Sequence, residues 1–134
     1  MKRDIKIPNV ENVTVAIVPE KSLLNVEEWK AYLINDNDFD IEHTLVASKG
    51  YGEKNKEQQK TSTLRHFLET VPANSSALIE PIDPQVFHLT NEYWVSYYVG
   101  TQIYDKRFLF VPETINKKNL VFIKTMEKEG ILHS

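Results

Sequence analysis

The sequence predicts an α+β fold: a mixed, largely antiparallel β-sheet with two α-helices packed on one face, in the order β-α-β-α-β-β-β-β. Three observations carry this expectation. Two segments repeat apolar residues at helical spacing, a β-branched run precedes them, and an aromatic hairpin follows. The 134 residues are read as a single domain. About ten residues at the N-terminus and about eight at the C-terminus are expected to be poorly ordered, which leaves "MEKEGILHS" a partly ordered tail.

"VTVAIV", residues 13–18, is a continuous β-branched run and predicts a strand covered on both faces. A helix over 26–34 is predicted next. Asn25 stands at the N-cap, Glu28 falls at N3 to close a capping box, and Leu24 faces Trp29 as a hydrophobic staple. Val26, Trp29 and Leu33 then form one core-facing stripe. "FDIEHTLVAS", residues 39–48, predicts a strand that ends at Gly50-Tyr51-Gly52. Leu64, Phe67, Leu68 and Val71 repeat at i, i+3, i+4 and i+7, which predicts a second helix over 62–71, stopped by Pro72. Its cap is Thr61 or Ser62, since hydroxyl residues suit caps better than helix interiors.

"SALIEPID" predicts a strand ended by Pro81 and Pro84, and Asp83-Pro84 has the form of an N-cap with proline at N1, opening a single helical turn. "EYWVSYYVG" and "IYDKRFLFVP" are aromatic and β-branched runs joined around Gly100-Thr101-Gln102, hence a hairpin. "NLVFIKT", residues 119–125, is the last strand expected.

Composition narrows the function classes. A net charge of −3 provides no overall attraction to nucleic acid or to an anionic membrane. The absence of cysteine removes thiol nucleophiles, disulfides and thiolate metal sites. No apolar h-region follows the basic "MKRDIK" start and no run is long enough to span a bilayer, so a cytoplasmic location is expected.

Motifs for chemistry are weak. "GYGEKNKEQQKTS" has its glycines at the wrong end for a phosphate-binding loop, and Gln59 stands where the glycine before the lysine belongs. Asp36, Asp38 and Asp40 match the first positions of a calcium loop, but Ile41 and Ala47 replace the turn glycine and the last glutamate, so the run reads as a turn. His43, His66, His88 and His133 form no ligand spacing; His66 is expected to point into solvent, and His43 to share a face with Ile41 and Leu45. Glu80, Asp83 and Asp105 read as solvent-side carboxylates, and no serine nucleophile motif occurs. No metal and no cofactor is expected.

Two sites remain. The predicted helix start at Lys60, Thr61, Ser62 and Arg65 combines free amides, hydroxyls and cations and would hold a small anionic group. The hairpin is rich in large side chains on both faces, more than two short helices cover. Tyr93, Trp94, Tyr97, Tyr98, Tyr104 and Phe108 are therefore the expected interface of a homodimer. The functional expectation is a small non-enzymatic binding or interaction domain that self-associates through this hairpin. The alternative is a small enzyme or ligand-binding protein that holds an anion at the second helix. Protein partners or a small anionic ligand fit these surfaces; nucleic acid and membrane do not.

Overall fold

The computed structural model describes residues 8–133, so the expectation of a poorly ordered N-terminus falls on a segment, residues 1–7, that lies outside them. Among the described residues, ten strands form two antiparallel sheets. They are β1 (Val13–Lys21), β2 (Glu27–Asn35), β3 (Ile41–Lys54), β4 (Glu57–Lys60), β5 (Leu64–Val71), β6 (Ser75–Ile82), β7 (Thr90–Val99), β8 (Gln102–Phe110), β9 (Val121–Ile123) and β10 (Lys128–Leu132). The first sheet runs β6-β2-β1-β10-β9 and the second β4-β3-β7-β8, with β5 also pairing β3. Two sheets facing each other across one core make a β-sandwich.

The α+β expectation is overturned: among the described residues strands make up 63%, and no helix reaches seven residues. The predicted helix at 26–34 is β2. Its Trp29, Ala31 and Leu33 alternate into the core, while Val26 is exposed in the preceding turn. Trp29 and Leu33 are four residues apart, a spacing that satisfies both a helical face and a strand face. What decides is pairing on both edges: β2 is hydrogen-bonded to β1 along its whole length and to β6 on the other side. Asn25 caps nothing; it occupies the β1–β2 turn with φ of 61°, and Leu24 is exposed.

The predicted helix at 62–71 is β5. Leu64 and Phe67 are exposed and Val71 is buried, so the helical stripe does not face a core as a unit. The 14-residue β3 organises this sheet, with Tyr51–Lys54 paired to β4 and Ile41–Ser48 paired to β5 along the same edge. Its register shifts between Ile41 and Leu45, where His43 has φ of 50°. Ile41 is therefore buried while Leu45 is exposed, and His43 does not share one face with both.

The hairpin stands where the sequence predicts it, as β7 and β8, and Asp83 caps a short 3-10 turn at Pro84–Val86. β1 is covered on both faces. Val13, Val15 and Ile17 enter the main core, and Ala16 and Val18 pack with Ile34 and Ile123 on the other side. The C-terminal segment expected to be poorly ordered instead supplies β10, which pairs with β1 and β9.

Candidate functional site

One cleft gathers polar side chains from both sheets. Its floor is built around Glu80 of β6, whose Oε1 accepts from the Ser48 hydroxyl of β3 at 2.6 Å and from His66 Nε2 of β5 at 2.6 Å. Glu80 Oε2 accepts from the Tyr93 hydroxyl of β7 at 3.3 Å. Three strands of one sheet thus converge on a single carboxylate of the other.

Glu80 reaches the inside because of a β-bulge. Ala77 pairs with Leu33, Leu78 with Tyr32 and Glu80 with Ala31, so Ile79 is the extra residue. Strict alternation from Ala77 would turn Glu80 outward; the inserted residue brings it in line with the core-facing Ala31. The Glu80 side chain is only 13% exposed, and its donors compensate its desolvation. Burial, reinforced by the Glu80 charge, pushes the Tyr93 phenol well above its ordinary value, so it stays a donor.

The cleft above this floor has a volume of about 180 Å³ and is lined among others by Gly50, Thr61, Ser62, Asp83 and Asn91. Thr61 closes one wall: its amide donates to the Gly50 carbonyl and its hydroxyl accepts from the Gly50 amide, both at 2.8 Å. Of the four residues proposed for an anion, Thr61 and Ser62 line the cleft. Lys60 is exposed at the end of β4, and Arg65 is exposed on β5 opposite Ala47. The helix whose amides were to hold the anion does not exist, and a carboxylate stands in the cleft instead.

The arrangement is not a nucleophilic triad. Ser48 and His66 both bond to the same carboxylate oxygen, so the imidazole does not stand between hydroxyl and acid and does not orient toward the serine proton. His66, expected in solvent, and Glu80, expected on the solvent side, are both corrected to this interior cluster. The other histidines lie apart: His43 stacks edge-on against Tyr98, His88 bonds to Gln59, and His133 packs against Phe108.

No family model, curated protein or solved structure matches the chain.

The residues assigned to a hairpin interface divide between two faces. Tyr93, Tyr97 and Phe108 are at most 2% exposed and belong to the core between the sheets, where the second sheet supplies the missing cover. Tyr104 is half-buried and stacks on Tyr97 with centroids 5.2 Å apart. Trp94 is on the outer face at 43% exposure, and Tyr98 is half-buried. On that outer face Arg65, Ala47, Trp94 and Arg107 stand in one row across four strands. Phe67, Leu45, Ser96 and Asp105 form the next. The Arg107 guanidinium lies 5.1 Å from the Trp94 ring. Beside this row Lys49 meets Glu92 at 3.7 Å, and Glu92 accepts from the Tyr51 hydroxyl at 3.3 Å.

Proposed function

We propose that the chain is a non-enzymatic interaction domain that self-associates through the outer face of the β5-β3-β7-β8 sheet, centred on Trp94. The observation that carries this is that Trp94, Leu45, Phe67 and Ile103, each 39% or more exposed, share one outer face of a sheet whose other face is already buried. Isolated exposed apolar residues are ordinary; several on one sheet face mark a contact surface.

A second copy suits this face better than a polyanion. Arg65 and Arg107 share it with Asp105 and the Lys49–Glu92 pair, so both signs are present. A two-fold axis can set an arginine of one copy against the aspartate of the other, with the tryptophans at the centre. A standard interface takes about 800 Å² from each partner.

Sedimentation over a concentration series tests the proposal. The parent chain is expected to dimerise by the middle micromolar range, and Trp94→Glu to remain monomeric with its fold and melting behaviour retained. A parent chain that stays monomeric at high micromolar concentration refutes it.

A further inference from the structure

The hydrogen-bond inventory of the Glu80 cleft inverts the ligand class expected from its sequence. Apart from the exposed Ser62 hydroxyl, the side-chain donors lining it are engaged within the protein. Ser48, Tyr93 and His66 all donate to Glu80, and the Thr61 hydroxyl donates to the Ser62 carbonyl. The Gly50 amide donates to Thr61, and the Asn91 amide group donates to the carbonyls of Val86 and Leu89. Lys49 lines the edge of the cleft but directs its ammonium to Glu92 and the Tyr51 ring.

Acceptors remain. Asn91, with both amide hydrogens used, keeps its Oδ1 beside Gly50, where an added Cβ would stand 3.3 Å from it. Glu80 Oε2 receives only the 3.3 Å bond from Tyr93 and keeps lone pairs for another donor. Asp83, exposed at the rim, accepts one bond at Oδ1 from the Gln85 amide and has its second oxygen to offer. Two carboxylates and an amide oxygen line this small cavity, beside the His66 already paired to Glu80, and a positively charged group with several hydrogens to donate complements them.

We propose that this cleft binds an organic cation through an ammonium or guanidinium group held by Glu80, Asp83 and Asn91. The cavity has room for about six waters at roughly 30 Å³ each, so it takes a cationic head and leaves the rest of its bearer outside. Such a head is carried by a free amine or by a lysine or arginine side chain of another protein. The site rests on the cleft's own donors and acceptors and is independent of the Trp94 face.

The test is a titration followed by amide chemical shifts of Gly50, Thr61 and Ser62. The probes are methylammonium, agmatine, a Gly-Arg-Gly peptide and inorganic phosphate. Saturable shifts with the cations and none with phosphate are expected. Agmatine binding more tightly than the peptide would identify a free amine as the source, and the reverse order an arginine side chain. Glu80→Gln should weaken cation binding by about tenfold or more through loss of a charge-assisted contact. Should that variant fail to fold, Asp83→Asn decides, since it is exposed and its amide oxygen can still cap Gln85. Absence of saturable shifts with every cation, tighter binding of phosphate, or unchanged cation affinity in the variants overturns the proposal.

Discussion

Ile79 and Glu80 show how much one inserted residue decides. Without the bulge, Glu80 would be one more surface carboxylate, and Ser48, His66 and Tyr93 would lack their common acceptor. Alternation along "SALIEPID" cannot reveal this, because a bulge is a property of the strand pair. Asn25 is a second case. Its φ of 61° and the bonds from the Leu24 and Val26 amides to the Ser22 hydroxyl describe a tight turn. Asn25→Gly should therefore leave stability unchanged or raise it, whereas Asn25→Ala should cost about 1–2 kcal/mol for a left-handed alanine. Equal melting temperatures for the two variants would contradict the turn assignment.

Among the elements, β2 and β5 mislead for different reasons. β2 carries residues whose spacing fits either period, and its two neighbours resolve the ambiguity. β5 carries a helical pattern on an edge strand, where half of the apolar positions stay outside. β10 was hidden by a charged, glycine-containing context, yet Gly130 is packed more tightly than any other glycine. An added Cβ would approach Ile123 Cδ1 to 2.7 Å and Val18 Cγ2 to 2.9 Å, with the Ile17 carbonyl oxygen at 3.2 Å. Gly130→Ala is expected to cost about 1–3 kcal/mol by overpacking where β10 lies between β1 and β9. A chemical denaturation midpoint equal to that of the parent would show the C-terminal strand to be dispensable.

At the scale of the whole molecule, the core between the two sheets buries Tyr93 and Tyr97, while Tyr32 and Tyr51 are half-buried outside it. Burial, with a smaller contribution from Tyr104, pushes Tyr97 up to about 12. Tyr93 and Tyr51 are raised by burial first and by Glu80 and Glu92 next, and Tyr32 by burial and its bond to Glu20. A raised folded-state value means that the folded chain prefers the neutral phenol. This stabilisation is complete below about pH 10, the ordinary phenol value, and is lost as pH rises through the folded values near 12 and beyond. Alkaline titration by phenolate absorbance should show these four tyrosines ionising late, with cooperative loss of structure as they do. All six tyrosines of the chain ionising together near the ordinary value would contradict the buried arrangement.

By itself the sequence determined what depends on neighbours along the chain. The β1 run, the hairpin with Gly100 at φ of 60°, and the Asp83-Pro84 turn are set by local sterics, capping and turn chemistry, and all are present. The surplus of large side chains on the hairpin was also legible, as a demand for cover. Only the tertiary structure decided what met that demand: a second sheet over Tyr93, Tyr97 and Phe108, with Trp94 left outside. Strand pairing is non-local, so the partners of β2 and β5, and the inward turn of Glu80, depend on residues far along the chain. Short-range spacing does not encode those partners, and they placed the cleft.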